Sequence, residues 1–108
     1  MSELEQLLVE IGTWSVTTFP HANAKSKAKH LVKEAMELED DPSDLLEHAD
    51  CLFLLAGIWK KEGITFDQLK EAIRKKLEIN KARTWGPPGE DGVSYHVEKS
   101  GEQKVVLQ

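Results

Sequence analysis

The fold is decided by two adjacent helical patterns, which run AKSKAKHLVKEAMEL (residues 24–38) and PSDLLEHADCLFLLAGIWKK (residues 42–61). In the first, apolar residues recur at the spacing of one helix face. The second begins at a proline, as helices often do, and is apolar on nearly all sides between residues 52 and 59. Such a helix is usually central in a bundle or is covered by a second subunit.

Two further helices flank this pair. The pattern predicts one over about residues 3–14, capped by Ser2, and another over about residues 65–83, which starts with a capping box. The sequence GPPG then ends the helical part of the chain. We therefore predict an all-α bundle of four main helices, with a helical domain over residues 1–86 and a tail over residues 87–108.

The tail permits two structures. Val93, Tyr95 and Val97 alternate with polar residues, and Ser100 and Gly101 would supply a turn, so a weak β-hairpin can form. The alternative is a segment without regular structure.

The composition argues against two classes of function, nucleic-acid binding and membrane insertion. The chain has 108 residues, a formal net charge of −5 and one cysteine. An acidic chain lacks the basic face that nucleic-acid binding requires. Its longest apolar run is about half of a membrane span. We expect a cytoplasmic protein that binds neither nucleic acid nor membrane, in the host cytoplasm if the protein is phage-encoded.

Two acidic doublets carry the strongest functional signal. Glu34 and Glu37 lie on the second helix, and Glu47 and Asp50 lie on the third. An i, i+3 spacing projects both carboxylates of a doublet from one helix face. Because the connection between the helices is short, the helices are expected to be antiparallel neighbours, and both doublets lie close to that connection. Four carboxylates should therefore converge.

This convergence is costly without a counter-charge. Two unit charges about 5 Å apart repel by roughly 3 kcal/mol at an effective dielectric constant near 20. Hard divalent cations with oxygen ligands would neutralise the cluster, and Mg²⁺ also accepts phosphate oxygens as ligands. The doublets thus indicate metal-assisted attack of water on a phosphate. The alternative is that they form ordinary solvated helix faces.

A stripe of polar residues follows on the last helix. Lys76, Asn80 and Arg83 share one face, at i, i+4 and i+7. Together they can hold a polyphosphate, with Arg as a bidentate clamp and Lys as a point charge. The alternative for the two cations is exposure to solvent or a favourable interaction with the helix C-terminus.

These residues resemble the motifs of a known family. The E-x-x-E and E-x-x-D pairs are similar to those of MazG-like all-α nucleoside triphosphate pyrophosphohydrolases. Several segments further resemble the small bacterial and phage branch of dATP/dGTP diphosphohydrolases. The segments are Trp14 with TFP (18–20), HLVKE (30–34), EHADC (47–51), GITFD (63–67), KLEINKARTW (76–85) and GVSYH (92–96).

The resemblance, which covers about residues 10–97, implies a function. It implies a dimer or tetramer that depends on Mg²⁺, for which Mn²⁺ can substitute, and that cleaves between the α and β phosphates of dATP or dGTP. It makes the two doublets the metal ligands and catalytic carboxylates, and the stripe the phosphate contacts. Either Glu34 or Glu37 is a candidate to orient the attacking water or accept its proton, and the residues alone leave that choice open.

Four further residues are weaker candidates for contact with the nucleotide base or with phosphate. They are Trp14, Phe19, His30 and Trp85. The aromatic residues could instead belong to the core, and we expect Phe53 in the core or at a subunit contact. His30 could instead support a neighbouring group, and Ser26 and Lys27 of the same helix could face the mouth of the site.

Two other classes of protein fit the sequence less well. A di-iron bundle would need Glu-x-x-His pairs, which the chain lacks. A non-catalytic nucleotide sensor or helical interaction module accounts for the apolar third helix, but gives no reason for the acidic doublets to face the basic stripe.

Overall fold

The computed structural model describes residues 1–97 and the backbone of residues 103–105. The helices are α1 Glu3–Thr18, α2 Ala24–Asp40, α3 Leu45–Glu62 and α4 Phe66–Ala82; the strands are β1 Thr84–Trp85, β2 Tyr95–Val97 and β3 Gln103–Val105. The predicted four-helix class is confirmed. Within the described residues, no helix is both long enough and apolar enough to cross a membrane.

The chain divides into two compact units, Met1–Phe66 and Asp67–Gln108. The first contains α1, α2 and α3, and the second contains α4 and the strands. The domain division at residue 86 that the sequence suggested stays a prediction.

In the first unit, α3 packs against both α1 and α2. This position explains why α3 is apolar on nearly all sides. The contact with α1 is close at Gly12, where an added Cβ atom would lie 3.0 Å from the carbonyl oxygen of Ala56. The prediction that α1 ends near residue 14 was wrong, because the helix continues to Thr18 and Gly12 serves close packing.

A short turn joins α2 to α3. The backbone N–H of Asp44 donates to the carbonyl oxygen of Asp41 at 3.1 Å, and the Asp44 carboxylate accepts from the N–H of Leu46 at 2.9 Å. Asp44 is thus the N-cap, so α3 begins at Leu45 and not at the predicted Pro42. The tightness of this turn keeps the last turn of α2 beside the first turns of α3.

Capping residues define the N-terminus of α2 and the C-terminus of α3. Asn23 caps α2 through a capping box with Ser26, whose N–H donates to Asn23 Oδ1 at 2.8 Å. Gly63 ends α3 with a φ of 66°. A residue with a Cβ atom is disfavoured in that conformation, whereas glycine adopts it readily.

In the second unit, the three strands form an antiparallel sheet of order β1-β2-β3. The pairing of β2 with β3 confirms the predicted hairpin, and the proposed turn at Ser100 and Gly101 lies outside the described residues. β1 was not predicted, because a strand of two residues has no detectable period. Thr84 pairs with Val97, and Trp85 pairs with His96.

Candidate functional site

Four carboxylates meet where α2 and α3 approach their connecting turn. One oxygen each of Glu34, Glu37, Glu47 and Asp50 lies within 4.8 Å of the other three. The convergence follows from the i, i+3 spacing on two antiparallel helices joined by a short turn. We refer to these four residues as the carboxylate cluster.

The cluster has buried oxygen atoms without protein partners. Oε2 of Glu34 and Oε2 of Glu47 are buried and accept no hydrogen bond from the described residues. Buried acceptors normally have a partner, so each such oxygen indicates an absent ligand. A set of carboxylate oxygens without nitrogen or sulfur donors fits Mg²⁺ or Mn²⁺. The residues present therefore fit a divalent metal centre.

Two carboxyl groups of the cluster have raised pKa values. A hydrogen bond with Glu37 raises the pKa of Glu34 above its ordinary value, followed by burial and by the charges of Glu37 and Asp50. Burial raises the pKa of Glu47 first, followed by the charge of Glu37. Both pKa values are therefore shifted towards the protonated form, which is the expected behaviour of carboxylates crowded together without a cation.

His30 supports the cluster from one turn away. Its Nε2 lies 3.0 Å from Oε1 of Glu34, one helical turn along α2. With the proton on Nε2, His30 donates to Oε1 and thereby leaves Oε2 of Glu34 free to face the cluster. The structure thus places His30 against a carboxylate of the cluster, and its role in the reaction stays a prediction.

An apolar pocket of about 520 Å³ adjoins the cluster. Its volume lies in the usual range for small-molecule sites, roughly 300–1,000 Å³. Its lining includes the aromatic residues Trp14, Phe19 and Phe53 together with the cluster residues Glu34 and Asp50. A ligand could therefore contact the carboxylates at one end and aromatic rings at the other.

The aromatic residues of the pocket contact one another. The Trp14 ring stands edge-on to Phe19 at 5.7 Å and to Phe53 at 5.9 Å between centroids. Trp14 and Phe19 are each 51% exposed, so they are not core residues and their rings are accessible. Phe53, for which the sequence predicts a place in the core or at a subunit contact, also lines this pocket.

In the second unit, Lys76 and Asn80 of the basic stripe lie on α4, and Arg83 directly follows the last residue of that helix. Lys76 is exposed, whereas Asn80 and Arg83 are half-buried. Oδ1 of Asn80 and Nη1 of Arg83 are buried without a hydrogen-bond partner among the described residues. Two unsatisfied polar groups at the end of α4 are consistent with ligand contacts, and their position relative to the carboxylate cluster stays a prediction.

Trp85 is engaged within the second unit. Its indole N–H donates to the carbonyl oxygen of Asn80 at 2.9 Å, and its ring stands edge-on to His96 at 6.3 Å. Trp85 thus anchors β1 to the end of α4. Its contact with a nucleotide stays a prediction.

Ser26 and Lys27, which the sequence places at the mouth of the site, both line the pocket, and Ser15, which the sequence did not indicate, lines it as well. Lys27 is 4% exposed, and its Nζ donates to Ser15 Oγ at 2.8 Å. Lys27 precedes His30 by three residues and Glu34 by seven, so the helical period places it on the same face. That period was a usable signal, but the burial of the lysine was not apparent from the sequence.

Comparison with known proteins gives consistent results. A family model described as dATP/dGTP pyrophosphohydrolase matches residues 7–103. The dATP/dGTP diphosphohydrolase of cyanophage S-2L is 33% identical over 94 residues, which cover 85% of this chain and 86% of that enzyme. The Eaa protein of Salmonella phage P22 is 39% identical over 103 residues, or 95% of this chain. The chain spans only 32% of the length of the P22 protein.

A solved structure matches as well. It is that of a MazG-like pyrophosphohydrolase of cyanophage S-2L, bound to dGDP and to three catalytic Mn²⁺ ions per active site. The TM-score is 0.71 at 31% sequence identity, and the match covers 90% of this chain and 95% of that one. The resemblance suggested by the sequence motifs is thereby confirmed.

Proposed function

Because the chain belongs to the dATP/dGTP pyrophosphohydrolase family, we propose that it hydrolyses dATP or dGTP to the monophosphate and pyrophosphate. Membership makes it an enzyme of the pyrophosphohydrolase class. The observation that carries the proposal is the carboxylate cluster, whose residues Glu34 and Asp50 also line the apolar pocket. A nucleotide needs both parts, since its phosphates require cations and its base requires apolar surface.

The metal of the reaction is proposed to be Mg²⁺, with Mn²⁺ as a functional substitute. Both are hard cations that suit carboxylate oxygens, and the solved relative contains Mn²⁺. All four residues of the cluster are proposed ligands. When bound, such ions supply charge neutralisation of the triphosphate and a lower pKa for a coordinated water.

The protein residues have separate tasks in this proposal. Glu34 or Glu37 orients the attacking water or accepts its proton. The hydrogen bond from His30 holds the Glu34 carboxylate in one orientation. Trp14 and Phe19 offer accessible aromatic rings against which a base can pack. Trp85 is also proposed to contact the nucleotide.

The reaction products test this function. Purified protein is incubated with each common dNTP and NTP, with Mg²⁺, with Mn²⁺ or with EDTA, and the products are separated by anion-exchange chromatography. We expect monophosphate and pyrophosphate from dATP or dGTP, and no product with EDTA. Diphosphate plus phosphate would contradict the assigned bond. No turnover with either metal would favour a nucleotide sensor or a helical interaction module.

The basic stripe is proposed to bind the phosphates. Lys76→Met should raise KM for the nucleotide by about 10-fold, because it removes a charged contact to the substrate. Lys75→Met is the matched control, since Lys75 is an exposed lysine next along α4 but off the stripe. Steady-state kinetics at fixed Mg²⁺ provides the measurement. Equal KM values for the two variants would remove Lys76 from the site.

We also propose that the protein is a homo-oligomer, either a dimer or a tetramer. In the described part of the chain, Ala56 is the only hydrophobic residue that is almost fully buried, at 3% exposure. Leu45 and Leu46 at the start of α3 are 79% and 75% exposed. Apolar surface of this kind is usually covered by a partner, and light scattering would determine the mass. A cytoplasmic location, in the host if the protein is phage-encoded, suits its nucleotide substrate.

A further inference from the structure

Lys27 is an unusual feature of the apolar pocket. Its side chain is 4% exposed, and its ammonium group also lies 5.8 Å from the centroid of the Phe19 ring. Ser15 Oγ is its one hydrogen-bond partner among the described residues. A buried ammonium group is costly unless it is well paired. The group carries three N–H donors and no acceptor, so two donors remain for a ligand.

The surface of α3 is shaped to accommodate this pair. A Cβ atom at Gly57 would lie 2.8 Å from Ser15 Oγ and 3.1 Å from Lys27 Cδ. Any other residue at position 57 would therefore displace Ser15 or Lys27. Residues of α1, α2 and α3 therefore hold Lys27 in the lining of the pocket.

The distance along α2 relates Lys27 to the carboxylate cluster. Lys27 and Glu34 are seven residues apart on one helix face, which corresponds to about 10 Å along the axis. That distance is comparable to the distance between the α-phosphorus and the outer edge of the purine in an extended nucleotide. With its α-phosphate at the cluster, a nucleotide would bring the edge of its base towards Lys27, past the rings of Trp14 and Phe19.

We propose that Lys27, held by Ser15, recognises the 6-keto group of a purine base and makes the enzyme select dGTP over dATP. This inference rests on the proposed function, because it assumes that the phosphates lie at the carboxylate cluster. Guanine presents two neighbouring acceptors, O6 and N7, whereas adenine presents N7 beside an amino donor. A lysine ammonium can donate to both acceptors of guanine but opposes the amino group of adenine.

The electrostatics of the pocket agree with this assignment. Burial lowers the pKa of Lys27 first, and the charge of Lys61 lowers it further. The cation is therefore incompletely compensated when no ligand is bound. A keto oxygen and a ring nitrogen would supply the absent acceptors.

The base preference of the unmodified protein is the first test. The values of kcat/KM are compared for dGTP, dITP, dATP and 2,6-diaminopurine deoxyribonucleoside triphosphate. The two 6-keto nucleotides should exceed the two 6-amino nucleotides by at least about 10-fold. dITP has the 6-keto group without the 2-amino group, and the diaminopurine nucleotide has the 2-amino group with a 6-amino group. The four nucleotides therefore distinguish the effect of the group at position 6 from the effect of the group at position 2. A ranking that follows position 2, or no ranking, would overturn the proposal.

Substitution of the lysine is the second test. In Lys27→Met the ratio of kcat/KM between dGTP and dATP should fall by at least about 10-fold, because the apolar side chain lacks donors. Lys29→Met is the matched control, since Lys29 is exposed on the same helix and should leave the ratio unchanged. Ser15→Ala, which removes only the partner of the lysine, should lower the ratio less. An equal loss for both bases in Lys27→Met would assign the lysine a structural role and overturn the proposal.

Binding measurements distinguish this inference from the proposed function. If the protein hydrolyses no nucleotide, calorimetric titration with dGMP, dIMP and dAMP in the presence of Mn²⁺ tests the pocket directly. Tighter binding of the two 6-keto monophosphates that is lost in Lys27→Met would support the inference even though the hydrolysis proposal had failed. Equal binding of all three would overturn it.

Discussion

Replacing Glu37 with glutamine is expected to lower kcat/KM about 1,000-fold while raising the thermal stability of the metal-free protein. Metal ions contribute several kcal/mol of transition-state stabilisation, and each 1.4 kcal/mol changes the rate about tenfold. Loss of a charged ligand should therefore nearly abolish turnover. The pKa of Glu34 is raised first by its hydrogen bond with Glu37 and then by burial and by the charge of Glu37. The pKa of Glu47 is raised first by burial and then by the charge of Glu37, so the same change removes one charge that acts on both groups. Less repulsion should raise the melting temperature by a few degrees.

The control is Glu39→Gln, which removes the same charge from the same helix. Glu39 is exposed and lies outside the carboxylate cluster, so both activity and stability should stay close to those of the unmodified protein. Melting is followed by circular dichroism in EDTA, and activity is measured with saturating Mg²⁺. A Glu37→Gln protein that is inactive and also less stable without metal would indicate a structural role for Glu37. An active variant would remove Glu37 from the catalytic site.

The metal site could be predicted from the sequence because its information is local. The i, i+3 doublets depend only on helix geometry, and the short segment after α2 fixes the direction of α3. These two facts bring Glu34 and Glu37 opposite Glu47 and Asp50 without any knowledge of side-chain packing. The structure places the four together, within 4.8 Å. Their role as ligands stays a proposal that the substitution at Glu37 tests.

The apolar pocket could not be predicted in the same way because it depends on contacts between distant residues. Ser15 and Lys27 meet only because Gly57 leaves space for them on α3. In the sequence, Lys27 is one of several lysines on α2, and its spacing from His30 and Glu34 predicts its helix face but not its burial. Gly12 similarly suggested the end of a helix, although its small size serves the contact with Ala56. A glycine within a helix therefore has two interpretations, and only the position of the neighbouring helix distinguishes them.

The stability of the metal-free protein should depend on pH in the direction opposite to that of the metal-bound protein. The pKa values of Glu34 and Glu47 are raised in the folded state above the ordinary value of 4.5. The folded state then binds more protons than the unfolded state, so stability rises as the pH falls from about 7 towards 4.5. This contribution is fully present below the unfolded pKa and is lost as the pH rises through the folded pKa.

Bound metal should reverse this slope, because the ligands must be deprotonated and acid releases the ion. At neutral pH, Mn²⁺ at about 100 times its dissociation constant should add about 2.7 kcal/mol of stability, or about 10 °C in melting temperature. The measurement is the melting temperature across this pH range, in EDTA and in Mn²⁺, so that histidines outside the cluster affect both curves alike. In Glu37→Gln the melting temperatures in EDTA and in Mn²⁺ should differ less at each pH. Parallel curves for the unmodified protein would show that the carboxylate cluster does not bind the ion.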